Sequence, residues 1–482
     1  MAKKHGVFVY EEATALTVPR ESSAGLQVVI GTAPVNVLDD PSSAVNVPVL
    51  ANSSVEAMAA LGYSKDFKNY SLCQTMYVTA NLYQVSPVVY INVLDPKKHK
   101  KAMEAKEVNV ASLQAVVQEE GILKEGLTVK NGEAELKANE DYVLSFDSDG
   151  YLVVTLLAAG GAAEATSLTV SGNMVDPAAV TKDDIIGGYD VSTGAESGME
   201  VIRKVYPKLG VVPGILIAPG WSYEPEVGIA LSAKAANING VFKAMAFVDI
   251  DTAKAKKYTD VKEVKEKSGF TSEFCCSIWP CFMVGEMILS GSAVAAARTA
   301  YLDASNEDIP SNPPSNKSLA ITGTCLADGT EVVLDQDQAT EVGEYGAVTA
   351  FNMNGFRLWG NHTGAWPASG DAKDIWINVR RMFNWQGNTF ILTYFDRVDD
   401  PMNPVLIENV VDSENIRCAA YAPAHWAGAS IEYLEADNPT TDILAGRMTF
   451  RQHIAPYTPA ETINNILNYD TDMLAATLTG GE

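Results

Sequence analysis

The residues in this chain best suited to chemistry are Ser222, closing the stretch Ala218-Pro-Gly-Trp-Ser222, and the histidines. A serine just after an apolar strand stands where α/β sheets gather ligands, and His362 or His425 would supply its base if the fold brought one of them close. The same stretch also reads as a plain tight turn, with Pro219 and Gly220 serving backbone geometry. His362, close to Trp359, fits a general base or a partly buried ring packed on aromatics. No stretch matches GxGxxG, the Walker pattern, HExxH or GxSxG. The histidines at 5, 99, 362, 425 and 453 are too scattered to suggest a metal cluster, and Asp147-Ser-Asp-Gly150 lacks the distal Glu of a calcium loop and reads as a turn. Cysteines 73, 275, 276, 281, 325 and 418 form no CxxC pair and read as free, mostly buried thiols. No cofactor or metal is expected. The sequons at Asn52, Asn316 and Asn361 carry little weight in a cytoplasmic chain.

Composition narrows the partners. At 482 residues the chain calls for two to four domains, and 47% hydrophobic with 20% charged residues is ordinary for a globular protein. A formal net charge of −25 disfavours direct binding to nucleic acid and to an anionic membrane surface. The one basic run, Lys97-Lys98-His99-Lys100-Lys101, reads as a solvated linker. The N-terminus lacks the apolar core of a signal peptide and no run is long enough to cross a bilayer, so synthesis in the cytoplasm is expected.

Elements that would position these residues follow from periodicity. Residues 5 to 20 begin with a β-prone run that has no partner strand nearby, and Glu21 to Gly25 suits a linker. The buried strand Leu26–Gly31, a helix capped by Asn52-Ser53-Ser54 through about Leu61, a helix from Ser71 to Tyr83 and the strand Pro87–Leu94 form a first α/β unit. From about 103 to 184, Asn131-Gly132 and Asp147 to Gly150 punctuate alternating strands, which reads as an inserted all-β, sandwich-like domain. The α/β pattern resumes with helices over 196–206, 224–237 and 252–266, strands over 211–218 and 241–249, Phe274–Trp279 as the last strand of the sheet, and an apolar helix from Met287 to Ala300. Beyond it, Asn354-Gly-Phe-Arg-Leu-Trp-Gly-Asn-His-Thr363 and a helix running from Asp374 through Trp385 to about Val398 form a compact module. Phe356, Leu358, Trp359, Trp376 and Phe383 are its expected core. Ile375, Val379, Met382, Ile391, Tyr394 and Phe395 share the buried face of the helix.

Several stretches read together resemble the sheath proteins of contractile phage tails and R-type bacteriocins. They are His5-Gly-Val-Phe-Val-Tyr-Glu, Val28-Val-Ile-Gly-Thr-Ala-Pro34, Gly214-Ile-Leu-Ile-Ala-Pro-Gly220 and Phe247-Val-Asp-Ile-Asp251, then Ser311-Asn-Pro-Pro-Ser-Asn316, Gly355-Phe-Arg-Leu-Trp-Gly-Asn-His-Thr363 and Asn378-Val-Arg-Arg-Met382. Their order covers most of the chain outside the insertion. His362 stands where the family commonly has an arginine.

The resemblance implies an α/β multidomain protein: arm and linker 1–24, an α/β outer domain over 25–102 and 185–345, the insert 103–184, an α+β tube-facing assembly module 346–461, and a C-terminal arm 462–482. It implies that arms add strands to neighbouring modules, the N-terminal arm through Gly6, Val7, Phe8, Val9, Tyr10 and Glu11. The C-terminal arm would use Ile463, Ile466, Leu467, Tyr469 and Leu474, although Ile463, Ile466 and Leu467 also fit a helix. Arg380 and Arg381 would reach a tube or neighbour carboxylate, or pair within the chain. Implied partners are further copies in stacked hexameric rings or a helical polymer, the inner tail tube protein, and baseplate and tail-terminator proteins, without nucleic acid or membrane insertion. The implied role is structural and non-enzymatic: a sheath trapped in an extended state that contracts to drive its tube through a cell envelope, as part of a released virion tail or bacteriocin particle. The competing reading is an α/β hydrolase-like enzyme with an appended β domain, using Ser222.

Overall fold

A computed structural model describes residues 22–478. The β-branched run Gln27–Gly31 forms strand β1, with every residue buried, as a strand covered on both faces requires. Strand β2 (Pro48–Ala51) leads into α1 (Ser54–Leu61), whose start is fixed by the Ser53 hydroxyl accepting the Glu56 N–H at 3.2 Å. Helix α2 (Ser71–Tyr77) loosens into a π-type turn over Val78–Leu82 before strand β3 (Val88–Asn92) returns through the core.

The inserted segment is built from strands β4 (Lys100–Asn109), β5 (Gln114–Val117), β6 (Thr128–Asn131), β7 (Ala134–Glu135), β8 (Tyr142–Phe146), β9 (Leu152–Leu156) and β10 (Ser167–Val175). Asn131-Gly132 turns β6 into β7, and Asp147 to Gly150 turns β8 into β9. Two sheets, β4-β10-β6-β7 and β5-β9-β8, enclose a separate core that includes Ala115, Val129, Leu152, Val154, Leu168 and Val170. The chain enters and leaves side by side, with Lys100 opposite Val175. The four lysines of the basic run at this crossing are exposed, as expected of a solvated segment, although Lys100 and Lys101 already open β4. His99 is buried and accepts the Asp95 N–H through Nδ1 at 3.0 Å, while Lys98 pairs with Asp184 and Lys101 lies 3.4 Å from Asp176. The charges clasp the two crossing segments because those segments emerge together, which a linear pattern does not reveal.

Past the insert come α3 (Lys182–Ile186), the small pair β11 (Gly188–Tyr189) and β12 (Glu196–Ser197), α4 (Val205–Leu209), β13 (Ile215–Ile217), α5 (Pro225–Ala236), β14 (Met245–Asp249), α6 (Val261–Ser268) and β15 (Cys275–Ile278). The helix expected over 196–206 is instead β12, a 3-10 segment Gly198–Lys204 and α4, since Ser197 and Glu196 pair back onto Gly188 and Tyr189. The helix expected over 252–266 is confined to its second half, after a turn and a short 3-10 segment. Strands β16 (Cys281–Val284) and β17 (Met287–Leu289) form a hairpin, so the apolar helix expected from Met287 begins only at Gly291, as α7 (Gly291–Ala304). Strand β18 (Gly323–Cys325) pairs with β16. Helix α8 (Gln336–Glu344) is capped by Asp335, which accepts the Gln338 N–H at 2.8 Å.

Strands β19 (Ala347–Asn352) and β20 (Phe356–Trp359) complete an eight-stranded sheet in the order β2-β3-β1-β13-β14-β15-β19-β20. Phe274–Trp279 is therefore not its last strand: β19 runs parallel to β15, and β20 turns back antiparallel. The Gly355-Phe-Arg-Leu-Trp stretch thus continues the α/β sheet. Gly360 lets the chain leave it at φ 128, where a Cβ would sit 2.9 Å from the Ala347 carbonyl oxygen.

The C-terminal part is helical with one hairpin. A short α9 (Ala372–Ile375) is separated from α10 (Ile377–Tyr394) by extended Trp376, because residues 361–363 pair with 375–377 through Thr363 N–H to the Ile375 carbonyl and Ile377 N–H to the Asn361 carbonyl, each 2.9 Å. Helix α11 (Pro404–Ala420) starts on an Asn403 cap with Pro404 at its first turn. Strand β21 (Trp426–Glu432), α12 (Thr440–Leu444), strand β22 (Arg451–Pro456) and α13 (Thr471–Leu478) follow, with β21 and β22 antiparallel.

Candidate assembly interface

Ser222, the candidate nucleophile, closes the turn that follows β13. The residue is fully buried, and its hydroxyl donates to Asp249 Oδ2 at 2.9 Å while accepting the Asp249 N–H at 3.0 Å. Asp249 also accepts from the Ser292 N–H at 2.7 Å and the Ser292 hydroxyl at 2.6 Å. Burial pushes this carboxyl above its ordinary range, although the serine donors pull it down. The cluster ties the end of β14 to the 218–222 turn and to the start of α7.

Neither candidate histidine serves Ser222. His425 Nδ1 lies 3.0 Å from the Ser311 hydroxyl. His362 is stacked between Trp366 and Trp376, at 4.3 and 4.8 Å, and its Nδ1–H donates to the Gly343 carbonyl at 3.2 Å. The serine–histidine arrangement of a hydrolase is not formed, because each ring is committed to a different layer. Among the described residues no group of His, Cys, Asp or Glu could hold a metal ion.

The expected module core is distributed differently. Leu358 is buried in the main core, whereas Phe356, Trp359, Trp376 and Phe383 are half-buried. Trp359 packs edge-on against Phe351 at 5.0 Å and donates Nε1–H to Thr340 at 3.3 Å. Fully enclosed positions in the module fall instead to Met382, Trp385, Cys418 and Trp426, which join α10, α11 and β21. On the helix face, Ile375, Val379 and Tyr394 are buried and Ile391 is half-buried, but Phe395 is exposed because α10 has ended before it.

Arg380 and Arg381 are not available to a tube or neighbour. Arg381 forks onto Asp303 of α7, the two side chains being 3% and 1% exposed, and also donates to the Ala24 carbonyl at 3.0 Å. Arg380 pairs with Asp374 at 3.1 Å and lies over the Phe274 and Phe383 rings. Helix α10 is packed on several sides, so a guanidinium on it must find an internal partner. The expected linker is drawn into the same contact: Ser22 donates its N–H to Thr389 at 3.3 Å, and Ala24 is buried.

A second buried network was not singled out in the sequence. Glu414 accepts from Arg417, from Gln386 at 2.6 Å and from Gln452 at 2.9 Å, locking α10, α11 and β22 together. Burial drives the Glu414 carboxyl upward, but Arg417 and the two amides outweigh it and hold it below its ordinary range. The three-residue Glu414–Arg417 spacing was the one local signal for it. Asn415 of α11 bonds both main-chain groups of Ile431, at 3.0 Å each, sealing the outer edge of β21 at that point. In an antiparallel ladder those groups face away from β22, so the cross-strand partner Gln452, and Ile454 two residues on, face away from β21. Their main-chain groups have no partner among the described residues. The hairpin therefore offers an open edge along β22.

From 461 to 478 every residue is exposed. Ile463, Ile466, Leu467 and Tyr469 stand outside any helix or strand at 86, 82, 86 and 78% exposure, and Leu474 lies on α13. Glu461 is the root of this segment, 3.4 Å from Asn361 Nδ2 and 3.8 Å from His362 Nε2. Gly6, Val7, Phe8, Val9, Tyr10 and Glu11 lie outside the described residues.

No protein-family model matches the chain. It is 26% identical over 498 residues to a tail sheath protein of Burkholderia phage BcepMu, covering 99% of this chain and 98% of that one. It is 25% identical over 300 residues to a major tail sheath protein of Serratia phage KSP20, covering 60% and 72%. Its fold aligns with the contracted PVC sheath complex of an extracellular contractile injection system at TM-score 0.59 and 13% identity, over 98% and 99% of the two chains. The contracted helical sheath of the anti-feeding prophage aligns at 0.57 and 13%, over 98% and 100%. Along its whole length the chain is thus similar in sequence to a phage tail sheath protein, and its mixed α/β, multi-sheet fold is that of contractile sheath structures.

Proposed function

We propose that this chain is the repeating structural subunit of a contractile sheath, joined to its neighbours by strand exchange. The observation that carries the proposal is the open β22 edge on a subunit whose own C-terminal segment stands away from it, apolar and exposed. An extended segment added to such an edge gains main-chain hydrogen bonds worth about 0.5–1.5 kcal/mol each. One link of a few bonds is weak, but repetition around every subunit ties a polymer together. Outer surfaces then exchange partners during contraction while the added strands stay paired.

In this reading residues 462–482 and the run Gly6–Glu11 are the exchanged arms, and 346–461 faces an inner tube. Residues 25–102 with 185–345 form the outer α/β part that carries the insert. The Ser22–Ala24 contact with α10 supports an N-terminal arm leaving beside the module. The subunit works without turnover or cofactor, and its partners are its own copies, a tube protein, and baseplate and terminator proteins. It is made in a host cytoplasm and released in a particle.

Electron microscopy of the purified chain tests the proposal: rings, tubes or polysheaths are expected, and a persistent monomer at high concentration counts against it. Deleting residues 1–20, or those after 460, is expected to abolish polymer while leaving circular dichroism and melting near wild type. Polymer that survives both deletions would overturn the strand-exchange assignment.

A further inference from the structure

Four arginines are buried among the described residues, and three of them meet a carboxylate: Arg380 with Asp374, Arg381 with Asp303, and Arg417 with Glu414. Arg298 on α7 is the exception. It is 9% exposed, its Nε–H donates to the Ser318 carbonyl at 2.8 Å, and its Nη1 is buried without a partner. The Tyr301 ring lies 5.3 Å beneath the guanidinium. Burial is the strongest influence on its pKa, pulling it down, and the neighbours that act on its charge are Tyr83 and Tyr301 rather than an acid. An unpaired buried charge costs a folded protein stability unless something completes it.

The guanidinium lines an open recess of about 380 Å³, walled by Tyr83, Gln84, Tyr301 and the 318–320 segment. Tyr83 accepts the Ala320 N–H at 3.3 Å, which leaves its own proton free to donate. Planar guanidinium donors beside a phenol proton match the two oxygens of a carboxylate. The source is argued from charge. With 60 acidic against 35 basic residues, a copy of this chain packed against another presents far more carboxylates than cations. Copies of such a chain repel one another unless some of those acids find a cation.

We propose that the Arg298 recess receives an Asp or Glu side chain from a neighbouring copy of this chain, held by the guanidinium and the Tyr83 hydroxyl. The proposal rests on the polymeric reading above.

Arg298→Met tests it on the full chain. Unassembled R298M is expected to melt at or above wild type, because an unpaired buried charge is removed. The concentration needed to form polymer is expected to rise about tenfold or more, the loss of one charge-assisted contact. A map of the wild-type polymer should place a carboxylate at hydrogen-bond distance from Arg298. On unassembled protein, acetate should raise the wild-type melting temperature saturably and leave R298M unchanged.

If R298M polymerises at the wild-type concentration, the inter-subunit carboxylate is overturned while the sheath reading stands. If the wild type itself never polymerises, both fall. Loss of monomer stability with normal assembly means a structural arginine, and an equal response to inorganic phosphate and acetate means a general anion site; either outcome overturns the proposal.

Discussion

Among single residues, His362 shows how a side chain that invites a catalytic reading becomes structural. Its ring is enclosed by Trp366 and Trp376, and burial lowers its pKa below the ordinary 6.5, against the opposing pull of Glu461. The folded value lies below the unfolded one, so in the window beneath 6.5 the unfolded chain holds more protons. Stability is therefore lost as pH falls through that window, by at most about 1.4 kcal/mol per pH unit for one group. Urea unfolding of unassembled wild type is expected to weaken more steeply below 6.5 than that of His362→Gln, whose side chain does not titrate there. His99, also buried with a lowered pKa, is present in both proteins and cancels. Parallel slopes would show that the tryptophan stack accommodates the charged ring.

At the scale of elements, the insert is tied to the large sheet through two chain crossings and the clasp of Lys98, Lys101, Asp176 and Asp184. Its core is separate, and Lys100 faces Val175 across an antiparallel pair, about 5 Å apart between Cα atoms. Replacing residues 101–174 by a short Gly/Ser linker is expected to leave a cooperatively unfolding protein with the eight-stranded sheet intact, observed by circular dichroism and denaturation. Loss of the folded state would mean that the insert holds the sheet together. The hairpin β21–β22 contrasts with it: Glu414, Gln386 and Gln452 fasten it internally while its β22 edge stays open. Element ends were harder to read than element existence. Gly291 and the Met287–Leu289 strand split one apolar run, and pairing with 361–363 breaks a helical pattern at Trp376.

For the molecule as a whole, charge and assembly oppose each other. A subunit of net charge −25 repels its copies, and that repulsion is longer in range at low ionic strength. Sedimentation of the wild type is expected to show polymer forming at lower protein concentration in about 0.15 M salt than in about 0.01 M salt, as the Debye length shrinks from about 30 to about 8 Å. Reversal of that order would mean that attractive ion pairs between subunits dominate their net repulsion. Strand addition suits such a subunit, since its main-chain bonds are not screened as surface charges are.

By itself the sequence determined what local rules govern. The apolar runs at Gln27–Gly31 and Met245–Asp249 are buried strands, Asn131-Gly132 is a hairpin turn, and Ser53 caps a helix. Tertiary structure alone decided where charges find partners and where the sheet ends. Arg381 meets Asp303 across 78 residues and Gln386 meets Gln452 across 66, separations over which side-chain pattern carries no information about contact. Strands β19 and β20 extend the sheet because Ala347 and Val348 lie beside Ser277 and Ile278, although they sit in what reads as a separate module. Arg298 differs from its buried neighbours for the same reason: the fold encloses it and, among the described residues, brings no carboxylate to it.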